Sequence, residues 1–200
     1  MLVGQIMTRK VATITPDKQV GQALKLMQKH NIRHLPVVQN QHMVGWITSR
    51  DLREVLLASM LEKITVGDVM VQAPITVTPD TSVEEAARLV SEHKIGGMPV
   101  MEKDQLVGVL TMLDLIHAFT AMLGLLRSSS RLDLNLEDKP QVLEAASTAI
   151  KQAGGKIINV AMGPRDKGRR AFYFRLEKVD LKPIMAGLKQ AGYEVVDAIP

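Results

Sequence analysis

The sequence predicts an α+β fold in three modules: two copies of a β-α-β-β-α unit, then a βαββαβ unit. Three observations carry this. The chain matches itself at an offset of 63 residues from Val3–Leu52 to Val66–Leu115, without a gap and with 19 of 50 aligned pairs identical. Within each copy a helical apolar period gives way to short apolar strands. After Leu126 both pattern and charge change: residues 1–126 carry 12 basic and 12 acidic side chains, residues 127–200 carry 13 and 9. A step of that kind marks separate modules.

Each copy has the same grammar. Thr15-Pro16-Asp17 and Thr78-Pro79-Asp80 punctuate the chain ahead of a helix. Val20, Ala23, Leu24 and Met27 then fall at i, i+3, i+4 and i+7, as do Val83, Ala86, Ala87 and Val90, giving each helix one apolar face. Strands follow at Leu35–Val38 and Met98–Met101, then a polar turn of three to five residues, then strands at Met43–Thr48 and Leu106–Thr111. A second helix begins near Asp51 and near Asp114.

The most chemical element is G-x-x-T-x-x-D, present as Gly45, Thr48, Asp51 and as Gly108, Thr111, Asp114. A strand entering a helix leaves the first helical N–H groups unpaired at the positive end of the helix dipole, which favours phosphate. Thr offers a hydroxyl, Asp accepts from ribose hydroxyls, and Gly admits a close backbone approach. Arg50 suits phosphate in the first copy, and the second has Leu113 there. The same T-x-x-D spacing is also a helix N-capping pattern, so both readings stand.

These motifs resemble a tandem pair of CBS domains, a Bateman module. The resemblance rests on VGQIMTRKVATITPDKQVGQALKLM, NIRHLPVV and MVGWITSRDL, echoed by VGDVMVQAPITVTPDTSVEEAARLV, KIGGMPVM and LVGVLTMLDL. It implies an adenine nucleotide between the copies, with the base against apolar positions Ala12, Ile32 and Pro36, or Ile75, Ile95 and Pro99. Plain core packing accounts equally well for Ile32 and Ile95. Arg33-His34 crowds or charges the first site, whereas Gly96-Gly97 makes the second roomier, so the two are expected to differ.

The last third opens with RSSSR, read as a linker over 127–131. Leu132, Leu134 and Leu136 alternate as a strand, Lys139-Pro140 opens a helix ending at Gly154-Gly155, and strands follow at Ile157–Ala161 and Ala171–Glu177. A helix over Leu181–Ala191 and a strand over Tyr193–Ala198 complete a ferredoxin-like βαββαβ order. With DLNLEDKPQVLEAASTAIKQAGGKIINV this resembles an ACT domain, a frequent amino-acid-sensing module. Gln141 follows Pro140 where amino-acid-binding members commonly have Gly, which points toward dimerisation or partner contact instead. Arg165, Lys167, Arg169 and Arg170 make a basic hairpin tip, read as a solvated loop before a nucleic-acid contact.

The expected domains are therefore 1–62 and 63–126 for the two CBS domains and 132–200 for the ACT-like domain. The order resembles bacterial acetoin-utilisation regulatory proteins. It implies a non-catalytic sensor of AMP, ADP, ATP or a related adenosyl compound, with an oligomerisation scaffold as the rival reading. The nucleotide-binding candidates are Ala12, Ile32, Arg33, His34, Pro36, Thr48, Arg50, Asp51, Ile75, Ile95, Gly97, Pro99, Thr111 and Asp114. No catalytic constellation is legible, and no cofactor is expected. His30 and His93 lack partners at metal-ligand spacing, and the absence of cysteine excludes disulfides and thiolate metal sites. The amino terminus lacks a signal-peptide layout, and the longest apolar stretch, Ala118–Leu126, is too short to span a bilayer. A cytoplasmic homodimer that contacts a regulated protein is the expectation.

Overall fold

The computed structural model describes residues 1–58 and 64–200, and the boundary expected between residues 62 and 63 lies outside them. The chain divides into two compact units, Met1–Ala118 and Phe119–Pro200.

In the first unit each repeat contributes a short helical turn, α1 (Val3–Ile6) or α4 (Val66–Val69), and a longer helix, α2 (Val20–His30) or α5 (Val83–His93). A hairpin follows, β1 (His34–Gln39) with β2 (His42–Thr48), or β3 (Gly97–Glu102) with β4 (Gln105–Thr111). Then come helices α3 (Ser49–Ala58) and α6 (Met112–Met122). The apolar helix faces are buried as expected, with Val20, Ala23 and Met27 packed on Leu35, Val37, Ile47 and Leu52. Burying each of these larger side chains contributes about 2 kcal/mol.

Several expectations change in detail. The first strand of each repeat is reduced to a single parallel bridge, Ile14 to Val37 and Val77 to Val100. Pro16 and Pro79, two residues on, supply no N–H to continue the ladder. The hairpin loops have two residues, not three to five, because Asn40-Gln41 and Lys103-Asp104 all take positive φ, as the tightest hairpin turn requires. Helices α3 and α6 begin at Ser49 and Met112, two residues before the aspartates.

The repeats also exchange their opening segments. Val3 N–H donates to Thr81 O (2.9 Å) and Gly4 N–H to Pro79 O (2.8 Å), so α1 docks on the second copy. Reciprocally, Val66 N–H donates to Lys18 O (2.7 Å) and Gly67 N–H to Pro16 O (2.9 Å), and Val66 belongs to the first core. Thr8 pairs with Val109 and Val71 with Trp46 in the same crossed sense.

The second unit is ferredoxin-like. Strands β5 (Ser129–Glu137), β6 (Ile157–Asp166), β7 (Arg169–Glu177) and β8 (Val195–Ile199) form an antiparallel sheet in the order β6-β7-β5-β8. Helices α7 (Pro140–Gln152) and α8 (Leu181–Gln190) contribute Ala146, Ile150, Ile184 and Leu188 to one core with Leu132, Leu134, Leu136, Phe172, Phe174 and Leu176. The expected linker is shorter than 127–131, because Ser129–Arg131 are already strand. Ser130 is buried there, its hydroxyl donating to Val179 O (3.0 Å) and accepting from Val179 N–H (3.2 Å). Satisfied by backbone, a serine occupies a core position that its polarity disguises.

The basic tip is likewise not a free cluster. The turn itself is Lys167-Gly168, both at positive φ. Arg165 and Arg170 both pair with the half-buried Asp138, and the Arg169 guanidinium donates to Asn135 O.

Candidate functional site

In each repeat the second strand delivers its threonine to the start of a helix. Thr48 N–H and Thr48 Oγ1 both donate to Asp51 Oδ2 (2.9 and 2.8 Å), and Thr111 does the same to Asp114 Oδ2 (2.8 and 2.6 Å). Asp51 N–H and Asp114 N–H lie 3.4 Å from the respective threonine hydroxyls. This is a reciprocal capping box, so the capping reading of T-x-x-D describes the geometry. It does not consume the aspartates. Oδ1 of Asp51 and of Asp114 has no protein partner among the described residues and remains available to accept from a ligand hydroxyl. The threonine hydroxyl protons are committed, so these oxygens meet a phosphate as acceptors only.

The same corner gathers other candidates. Ser49 N–H donates to Arg33 O (2.9 Å) and Met112 N–H to Gly96 O (3.0 Å), fastening the residues before β1 and β3 to the helix starts. His34 stands opposite Thr48 in the hairpin register and Gly97 opposite Thr111. Ala12 and Ile32 are half-buried against the first core, two-sided residues that also face outward. Ile75 and Ile95 are half-buried at the equivalent places. Pro36 and Pro99 are fully strand residues, buried, their carbonyls accepting from Ile14 N–H (3.1 Å) and Val77 N–H (3.2 Å). They shape the fold more than they face a ligand.

Gly45 and Gly108 have a different reason from the one expected. A Cβ at Gly45 would stand 2.8 Å from Met70 Cγ and 3.2 Å from Met70 Cβ, and one at Gly108 2.7 Å from Met7 Sδ. The glycines make room for a methionine from the exchanged segment, not for a ligand's backbone approach.

Nor is the second copy simply roomier. His34 reaches across to it: a Cβ at Gly96 would lie 3.1 Å from His34 Nε2. The His34 ring stacks on Trp46 with centroids 5.6 Å apart and planes at 26°. Burial there, with Arg33 adding repulsion against only partial relief from Asp51, holds the imidazole below its ordinary pKa.

The two corners differ in charge. Arg33, Arg50 and Arg53 are exposed around the first, where the repeat places Gly96, Leu113 and Ile116 around the second. Trp46 and Arg53 were not among the sequence candidates. The offset of 63 residues would have exposed Arg53, since it sets a cation against Ile116 one helical turn beyond Arg50. Among the described residues no group of three His, Asp or Glu side chains is placed to hold a metal, and no described helix is long and apolar enough to cross a membrane.

Comparison with known proteins agrees with this architecture. Residues 3–58 and 66–121 match the CBS domain and residues 128–198 the TTHA0829-like ACT domain. The inosine-5'-monophosphate dehydrogenase of Korarchaeum cryptofilum is 30% identical over 154 residues, which are 76% of this chain but 32% of that protein. The chain thus spans about a third of that relative's length. Among solved structures, the acetoin utilization protein AcuB of Vibrio cholerae aligns with a TM-score of 0.58 and 32% identity, over 62% of this chain and 96% of that one. CBSX2 in complex with AMP aligns at 0.54 and 31%, over 60% and 96%. The CBS pair of MJ0100, in complex with 5-methylthioadenosine and S-adenosyl-L-methionine, aligns at 0.56 and 32%, over 60% and 97%. With paired Thr–Asp corners repeated at one register and both repeats matched end to end, this chain belongs to the CBS-domain family, as a tandem CBS pair followed by an ACT domain.

Proposed function

We propose that the chain is a non-catalytic sensor whose CBS pair binds an adenine nucleotide of the AMP, ADP or ATP type. The carrying observation is the twin Thr–Asp corner, each with one carboxylate oxygen left unpaired among the described residues at a helix start. Asp51 and Asp114 receive ribose hydroxyls, and Ala12, Ile32, Ile75 and Ile95 offer the half-buried apolar surface a purine needs. Phosphate is held by Arg50, Arg33 and the start of α3 in the first copy. Binding shifts the packing between copies, and the ACT domain transmits the shift to a regulated protein or to the second chain of a cytoplasmic homodimer. The AMP complex of CBSX2 supports the nucleotide class.

An adenosyl ligand without phosphate is favoured at the second corner by one observation: Leu113 and Ile116 replace the arginines of the first. The 5-methylthioadenosine and S-adenosyl-L-methionine in the MJ0100 complex are ligands of that kind.

Isothermal titration with AMP, ADP, ATP and S-adenosylmethionine tests both. Nucleotide affinity lost in Asp51→Ala and salt-sensitive affinity lowered in Arg50→Leu are the expected results. Absence of binding to all four, with no ligand-dependent rise in melting temperature, leaves the scaffold reading in place.

A further inference from the structure

We propose that the uncovered face of the C-terminal sheet binds a small aliphatic monocarboxylate, a site that does not rest on the nucleotide reading. The helices α7 and α8 cover one face of this sheet, and strand alternation sends Arg131, Asp133, Tyr173, Arg175, Asn159 and Ala161 to the other. A cleft of about 220 Å³ lies there. Arg131, Tyr173, Arg175 and Asn159 supply its polar wall, and Leu123, Leu125 and Ala161 its apolar wall.

The charge arrangement is what identifies the ligand. Arg131 and Arg175 are direct cross-strand partners, a like-charge pairing that costs stability unless each cation is compensated. Arg131 is compensated, with its Nε and Nη2 on the two oxygens of Asp133 at 2.9 Å each and Asp197 at 3.5 Å. Arg175 is not. Its Nη1 donates to the Ser129 hydroxyl (2.6 Å), and among the described residues no carboxylate lies within ion-pairing distance. Among the described residues the sheet therefore fixes a half-buried guanidinium without its counter-ion, directly opposite Asn159, whose amide donates to Met122 O (3.5 Å) and has a second N–H able to donate to the same anion.

The apolar wall is equally built. Helix α6 ends in a turn where Leu125 N–H donates to Thr120 O (2.9 Å) and Gly124 takes φ +69°. That left-handed residue brings the backbone down beside Arg175, where a Cβ would stand 3.5 Å from Arg175 Cδ. Leu123 and Leu125 are thereby laid against the cleft. At roughly 30 Å³ per water-sized group, the volume accommodates about seven non-hydrogen atoms. A planar carboxylate on the guanidinium fork and a short branched alkyl tail on the leucines fill it.

The test is an NMR titration of the full chain with 3-methylbutanoate, beside 3-methylbutan-1-ol and inorganic phosphate as probes. The acid is expected to shift the methyl signals of Leu123, Leu125 and Ala161 and the ring of Tyr173. Arg175→Gln should weaken it about tenfold or more. Should Arg175→Gln lose cooperative melting, Arg175→Lys serves instead, keeping the charge but not the fork. The proposal is overturned by no shift at roughly 10 mM acid, where a millimolar site would be mostly filled. It is equally overturned by unchanged affinity in the arginine variant, by the alcohol binding as well as the acid, or by phosphate binding as tightly.

Discussion

The His34 ring packs against the bare Cα of Gly97. A Cβ on Gly97 would stand 3.4 Å from both Cε1 and Nδ1 of His34 and 2.9 Å from the carbonyl oxygen of Leu110. The two residues are repeat-equivalent, so the pair sits where the copies meet their own counterparts.

Gly97→Ala is therefore expected to lower stability by about 1–3 kcal/mol, since the Leu110 carbonyl is backbone and cannot swing aside. Gly96→Ala meets only the edge of the His34 ring. Its cost should be smaller and should largely vanish in a His34→Ala background, a coupling readable from urea midpoints in a double-mutant cycle.

Protonation of His34 works against the fold. Burial and Arg33 lower its folded-state pKa below the unfolded value near 6.5, so the unfolded chain binds the proton more readily. Its contribution is complete above about pH 6.5 and is lost as pH falls through the folded pKa. Melting temperature should drop between about pH 7 and pH 5, and the His34→Gln variant should show a shallower drop over the same range.

Gly45→Ala should destabilise by about 1–3 kcal/mol through collision with Met70. Met70→Ala alone truncates a half-buried side chain and should cost about 1–2 kcal/mol, but the double variant should cost less than the two singles added. Additivity in thermal denaturation would contradict the packing described.

The capping box and the ligand role of Asp51 separate by substitution. Asp51→Asn keeps a capping acceptor and should cost well under the loss of about 1 kcal/mol expected for Asp51→Ala. Thr48→Val removes the committed hydroxyl and should lower stability by about 1 kcal/mol while leaving nucleotide affinity nearly intact. A large affinity loss in Thr48→Val, measured calorimetrically, would mean the hydroxyl leaves Asp51 to reach the ligand.

What was legible in the sequence was whatever is local. The helix faces of α2 and α5, the Thr-x-x-Asp corners and the alternation of Leu132, Leu134 and Leu136 are periodic signals, and each lies where its period places it. What was not legible is set by partners distant in the chain. Nothing near Gly45 announces Met70, and nothing near Gly97 announces His34. Ser130 reads as linker because its polarity is visible and its bond to Val179 is not. The two-residue hairpin turns escaped because Gln41 and Asp104 hold positive φ without being glycine.

The exchange of opening segments ties the folding of each copy to the other. Residues 1–58 alone lack Val66 at their core and the packing of Met70 against it. Val3 to Thr8, in turn, are fastened to the second copy. The two copies are expected to close around each other as one cooperative event. A fragment of residues 1–58 should accordingly remain unfolded, although it contains one whole repeat of the sequence.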